Sequence, residues 1–358
     1  MKAGRVRPAA PTRGGRPTAG QPTAVLLYIV RRLLNVVVML LVVATITFGI
    51  FFLVPWLQHT DPVLRYVGKN ANPVAIEGIK VKLGLDKPIY EQFWLYLKGL
   101  VAGRSYNNGP DTTWCPAPCM GISTQTQTPV WGQLTGDFPV TAWLAAGAAT
   151  LWLVFGVGTG VLSALRKRSV LDRVTMVTAL AGVSLPVYFT GLVTSALFVY
   201  NLGWLPESDP GVTLADDPVA WFQNMLLPWI TLAFLFAATY ARLTRATMLD
   251  VLGEDYIRTA RAKGLREGKV IGKHAMRATM TPVLTVFGMD LGGLLGGAIL
   301  TENVFNLHGL GYDALNGITK NDLPMIMGVT LFAAFFIVMA NLIVDLLYAV
   351  VDPRVRLA

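Results

Sequence analysis

Residues 242–277 read RLTRATMLDVLGEDYIRTARAKGLREGKVIGKHAMR. The run holds nine Lys and Arg against four Asp and Glu, and apolar stretches flank it at roughly 221–240 and 282–300. A charged, helix-compatible insertion between hydrocarbon-like segments needs a protein partner or a membrane surface. Its first part, 244–252, continues helically from the preceding apolar stretch. Gly253, Glu254 and Asp255 interrupt it, with Asp255 as the expected cap of a short helix over 256–263. Gly264 is a natural terminator because it takes positive φ without a Cβ clash, and Leu265 opens a further helical stretch to about 273. The expectation is helix, glycine turn, helix beneath a membrane bundle. Tyr256, Ile257, Ala260 and Leu265 suit a cleft on a cytosolic partner, while the arginines equally suit lipid headgroups. The residues alone leave both readings open.

Working outward, the surroundings are those of a polytopic membrane protein. Of 358 residues, 53% are hydrophobic and 14% charged, against about 25% charged in soluble domains. Several apolar runs reach about 20 residues, enough to cross about 30 Å of hydrocarbon. The net charge of +9 would suggest nucleic acid in a soluble chain. Here it records Lys and Arg held on the cytoplasmic side, and no nucleic-acid partner is expected. No small-residue cleavage site precedes the first span, which reads as a retained helix.

The chain divides as follows. Residues 1–24, rich in Pro, Gly, Ala, Thr and Arg, read as a disordered basic cytoplasmic tail. Residues 25–56 hold the first span, opened by Arg31 and Arg32 and closed by Pro55 and Trp56. Residues 57–138 are too long and polar for a turn and form an extracytoplasmic subdomain, with helices expected over 72–82 and 89–100. The core, 139–352, carries spans at about 141–165, 174–200, 221–240, 282–300 and 324–350, and 353–358 is a cytoplasmic C-terminus. Pro186, which lacks an N–H, predicts a kink or break in the third span. With six spans, Arg31, Arg32, Arg166, Lys167, Arg168, the 242–277 loop, Arg354 and Arg356 share one side. Asp61, Asp111, Asp137, Asp209, Asp216, Asp217 and Asp322 share the other. Both termini are then cytoplasmic.

No GxxxxGK[ST] phosphate loop and no HExxH pair occurs, and His59, His274 and His308 are scattered. The chain is therefore expected to be no enzyme, to hold no cofactor or metal, and to move a solute with energy drawn elsewhere. A membrane scaffold that docks through its basic loop is the reading of another class. Cys115 and Cys119, in the run CPAPC, are the two cysteines of the chain. On the oxidising side a local disulfide is favoured, with free thiols or a metal or redox role as alternatives. Asp290 sits among Gly288, Gly292, Gly293, Gly296 and Gly297 in the fifth span. A carboxylate at membrane depth lines a pathway, bonds to a neighbouring helix or carries a proton or cation, and small residues permit close helix packing. Asn341 and Asp345 share a face of the sixth span and read as interhelical bonding. Glu302 and Asn303 lie at the external end of the fifth, where they would receive cargo or the binding protein or serve the structure.

The run DYIRTARAKGLREGKVIGKHAMRATMTPVLTVFG, residues 255–288, resembles the cytoplasmic loop of binding-protein-dependent ABC importer permeases of the dipeptide, oligopeptide and nickel class. RRLLNVVVMLLVVATITF (31–48), RKRSVLDRVTMVTALAGVSLPVYFTGL (166–192), NLGWLP (201–206), ENVFNLHGLG (302–311) and NLIVDLLYAVVDPRVR (341–356) resemble the same family. The likeness covers roughly 26–357, with an insertion at 100–129. Where the general loop carries Glu-Ala-Ala, three residues and Gly, this chain has Arg258, Thr259, Ala260 and then Gly264. The resemblance implies an all-α type I ABC importer permease fold with six transmembrane helices in the inner membrane. It implies a second homologous permease, two cytosolic ATPases that bind ATP and Mg, and an extracytoplasmic substrate-binding protein. The substrates implied are di- and oligopeptides, or alternatively nickel chelates or another small solute. Coupling to the ATPase falls on Tyr256, Arg258, Thr259, Ala260, Arg261, Lys263, Gly264 and Leu265, with Arg266 as a further cation for ATPase carboxylates or anionic lipid.

Overall fold

The structure, a computed structural model, describes residues 22–58, 77–78, 80–81, 84–107 and 112–351, the first eight and last seven as backbone. Most of the 1–24 tail, most of the 72–82 helix, His59, Asp61, Asp111 and the 353–358 terminus lie outside these residues.

Helix α1 begins at Pro22, three residues inside the expected tail, runs to Phe48, and continues through a π turn, Gly49–Leu53, and a last turn, Val54–Leu57. Its apolar part is Val30–Leu57. Helix α2, Ile89–Ala102, packs Phe93 and Tyr96 on Phe48 of α1, with ring centroids 5.1 and 5.7 Å apart. An antiparallel hairpin follows, β1 (Arg104–Asn107) and β2 (Thr112–Cys115), in the register Arg104↔Cys115 to Asn107↔Thr112. This hairpin departs from the all-helical reading. It sits in the expected insertion, where Thr112, Thr113 and Trp114 favour a pleated conformation.

The bundle itself is helical. Helix α3 is Val130–Leu165, with Pro139 inside it. Helices α4 (Val170–Ser184) and α5 (Val187–Asn201) form the third span, bent by 101° at Leu185–Pro186. The proline thus breaks the helix outright, because Leu185 is pushed to an extended ψ of 127°. Helix α6, Pro218–Leu252, starts where the Asp217 carboxylate accepts from the N–H groups of Val219 and Ala220. Then come α7 (Asp255–Ala262), α8 (Glu267–Leu295), α9 (Ile299–Val304), α10 (Leu310–Thr319) and α11 (Leu323–Val351). Among the described residues five helices are long and apolar enough to cross a membrane, or six spans when the bent pair α4–α5 is counted as one.

The fifth span differs from its expected bounds at both ends. It begins at Glu267 without the break expected near 273, passing through a π turn at Val270–Ala275. It ends at Leu295, because Gly297 takes φ +119° and turns the chain. Ile299 and Leu300 therefore belong to the separate α9.

Helix α6 is the axis of the bundle, packed on α3, α4, α5 and α8. Trp152 of α3 and Tyr240 of α6 are fully buried there with Leu144 and Ala148. The Trp229 indole N–H finds the Trp143 carbonyl at 3.0 Å, which lets an aromatic of this size enter an apolar core.

Candidate functional site

Local sequence explains the shape of the 253–266 loop. Helix α7 is capped at its start by Glu254, without a side-chain bond, and Asp255 is its first helical residue rather than its cap. At the other end Gly264 stands at φ +73°. The Leu265 N–H donates to the Ala260 carbonyl at 3.4 Å and the Gly264 N–H to Arg261 at 2.9 Å. That pair of bonds is a Schellman end, which needs a left-handed residue at the glycine position. The Arg261 guanidinium then reaches across the turn to Glu267, its Nη2 2.6 Å from the carboxylate, and ties α7 to the start of α8. Arg261 therefore first closes this loop on itself.

Helix α7 has one face held and one face free. Ile257 (0% exposed) and Ala260 (8%) pack with Val161 and Ala164 of α3, Met248 of α6, and Val270 and Ala275 of α8. Leu265 joins the edge of the same cluster. Ala260, expected among the partner-contacting residues, is thus turned into its own chain, and so is Ile257. The periodicity required one apolar stripe, and the nearest apolar surface claimed it. The outward face presents Tyr256, Arg258, Thr259, Lys263 and Gly264. Arg258 is paired with Asp255 at 3.3 Å and remains mostly exposed.

Above this loop lies a polar contact that the sequence reading missed. The Asp172 carboxylate at the start of α4 is 5% exposed. It accepts from Arg245 Nε at 2.7 Å and Nη2 at 3.0 Å, from the Arg168 N–H at 2.9 Å, and from Ser163 Oγ. Three helices, α3, α4 and α6, are joined by one carboxylate. The signal was present in the run from Arg166 to Asp172, yet nothing in it names a partner 73 residues away.

Gly288 and Gly292 of α8, and Gly296 just past its end, share one face against α11. A Cβ on Gly288 would fall 1.8 Å from Val344 Cγ2, on Gly292 2.6 Å from Ala340 Cβ, and on Gly296 2.6 Å from Ala333 Cβ. Of the two readings, packing takes Gly292 and Gly296. Gly293 faces open space, with nothing within 4 Å of such a Cβ. Asp290 accepts a hydrogen bond from the Tyr240 hydroxyl of α6 at 2.8 Å.

At the α9 end of the bundle, Glu302 is fully buried. Its carboxylate accepts from Thr141 Oγ1 (2.9 Å) and from the N–H groups of Ala298 (3.0 Å), Gly311 (2.7 Å) and Tyr312 (3.0 Å). Burial pushes its pKa up while these donors hold it down. Asn303 donates to the Ile299 carbonyl of its own helix at 2.8 Å. Asp313 of α10 faces Asp137 of α3, and its Oδ2 is buried without a hydrogen-bond partner. Burial first, then the charges of Asp137 and Glu302, push Asp313 up to about 8. Cys115 and Cys119 are bonded to each other, with Cα atoms 5.5 Å apart, inside a small core with Tyr106 and Ile122. Asn341 is exposed on α11, and the Asp345 side chain lies outside the described residues.

Comparison with known proteins bears on what these parts serve. Residues 156–357 match the family described as binding-protein-dependent transport system inner membrane component, and residues 25–145 match the N-terminal family of such membrane components. The glutathione transport system permease protein GsiC of Escherichia coli K12 is 35% identical over 329 residues, 92% of this chain and 98% of that one. GsiC of Shigella dysenteriae matches to the same extent. Among solved structures, an inward-facing MetNI methionine ABC transporter has a chain with TM-score 0.50 and 16% identity, covering 62% of this chain and 97% of that one. The likeness there is one of fold, the type I importer permease bundle. The chain is a multi-pass inner-membrane protein and belongs to the binding-protein-dependent transport system inner membrane component family.

Proposed function

We propose that this chain forms one half of the translocation pathway of an ATP-driven importer for di- and oligopeptides. Helix α7 carries the reading. Its inner face is locked to α3, α6 and α8, while Tyr256, Arg258, Thr259 and Lys263 face outward from the cytoplasmic side. A helix fixed along one side moves with the bundle, so force applied to its outer face reaches α6 and α8 directly. The cationic outer face suits an acidic-rimmed groove on a cytosolic ATPase. Two such ATPases bind ATP and Mg, a second homologous permease completes the pathway, and an extracytoplasmic binding protein delivers cargo. The relatives named for glutathione, a small peptide, support peptides as the cargo. Coupling falls on the outward residues with Arg261, Gly264 and Leu265 shaping the turn, and Ala260 seats the helix. Gly293 and Asp290 belong to the wall that α8 turns towards the pathway. The chain makes no covalent step. It changes affinity by switching between inward- and outward-facing states whose populations ATP and cargo shift.

Purification of the tagged chain in mild detergent, with mass spectrometry and a peptide-stimulated ATPase assay, tests the reading. A second permease, ATPases and turnover that rises with peptide support it. An intact assembly stimulated by a nickel chelate and not by peptide moves the cargo to that class. Failure to recover any ATPase under several mild extractions overturns the coupling assignment.

A further inference from the structure

Beneath α2, helices α1, α3 and α11 diverge and leave an open groove of about 630 Å³. Its lining runs from Val37 and Ala44 of α1 past Leu100 of α2 to Trp131 of α3 and Phe336 of α11, with no ionisable side chain among the lining residues. Val37 to Ala44 lie inside the apolar span of α1, so hydrocarbon is the medium outside the groove. Val37 and Leu41 are 63% and 48% exposed at its mouth. A carbon-lined space of this size, open to the bilayer, gains dispersion contacts only when chains of matching chemistry fill it. Val37 to Ala44 cover about 10 Å of helix axis, against about 15 Å for half of the hydrocarbon thickness.

The rim supplies the other half of a lipid's chemistry. On α2, Tyr90 and Trp94 are exposed, 74% and 65%, as expected of aromatic side chains at a headgroup boundary. Lys98 is exposed one turn beyond Trp94, while Glu91 on the same helix is neutralised by Lys87 at 2.6 Å. The cation beside the groove is therefore not offset by that carboxylate. We infer that the groove holds an acyl chain of an outer-leaflet phospholipid, whose phosphate lies at Lys98 under the aromatic rim of α2. Such a lipid wedges the external subdomain against α11.

The test uses the complete transport complex in native membranes. A photoreactive benzophenone amino acid is placed at Leu100, in the groove, and separately at Ile46, exposed on the opposite face of α1. After irradiation, extensive detergent exchange and intact-mass measurement, a phospholipid-sized adduct at Leu100 severalfold more abundant than at Ile46 is the expected result. Lys98→Glu, a surface change remote from the packing, should lower that adduct severalfold. Equal adducts at both positions would mean ordinary bilayer contact, and the site would fall. An adduct of Leu100 with another polypeptide would assign the groove to a partner subunit and overturn the inference. So would the absence of any adduct, or a Lys98→Glu adduct at the original level.

Discussion

Arg245 grips Asp172 with two nitrogens, Nε at 2.7 Å from one carboxylate oxygen and Nη2 at 3.0 Å from the other. Asp172 opens α4, and Arg245 lies two turns before α6 ends at the 253–266 loop. A buried, two-pronged pair is worth most as a constraint, because removing one partner strands the other without water. Arg245→Ala should cost the chain about 3 kcal/mol, seen as a lower midpoint of thermal aggregation in detergent. The exchanged pair Asp172→Arg with Arg245→Asp should recover part of the loss. If the single variant keeps the parental midpoint, the contact is not holding these helices.

Gly264 tests the loop separately from the bundle. Nothing lies within 4 Å of a Cβ built there, so a side chain meets strain from φ +73° and no clash. Gly264→Val should cost about 1–2 kcal/mol locally, with membrane insertion intact and ATP hydrolysis no longer matched to uptake. Gly264→Asn, which tolerates the left-handed region, should retain most coupling. Equal transport in both variants would count against this turn as the link.

Glu302 receives four donors while fully buried. Glu302→Gln places an amide N–H₂ where donors already converge. Lost charge-assisted bonds and a stranded backbone N–H should cost about 2–4 kcal/mol. Hydrogen exchange at Gly311 and Tyr312 reads the effect, and unchanged protection there would remove Glu302 from its structural role.

Asp313 predicts a pH dependence. Its pKa rises from an ordinary 3.8 to about 8 through burial and the facing Asp137 and Glu302. The folded state therefore binds more protons than the unfolded state between those values. Stability is highest below the lower value and falls as pH rises through the upper one. Thermal midpoints should decline between about pH 5 and pH 8.5, with a shallower slope in Asp313→Asn. An identical slope in that variant would place the titration elsewhere.

The bonded pair Cys115–Cys119 closes a short loop beside the β1–β2 hairpin. Replacing both with Ser should release about 2 kcal/mol of constraint on the unfolded loop. Limited proteolysis within 104–129 should accelerate while the bundle stays resistant. Unchanged cleavage would separate the bond from the stability of this region.

The membrane class and the positions of the apolar spans were legible along the chain, because run length and charge placement are local quantities. The sequence also located the break at Pro186 and the terminator at Gly264, since each follows from one residue's own backbone limits. Which face of α7 is available depends on packing between distant segments. The stripe Ile257–Ala260 is apolar in sequence, and its owner is fixed by where Met248, Val161 and Val270 come to rest. Likewise Asp172 finds Arg245 and Asp313 finds Asp137 across helices far apart in the chain. Glu302, legible as a polar residue at a helix end, became a buried acceptor only when Thr141 and the start of α10 closed over it. Pairing between distant positions depends on helix rotation and depth, and local spacing carries no information about either.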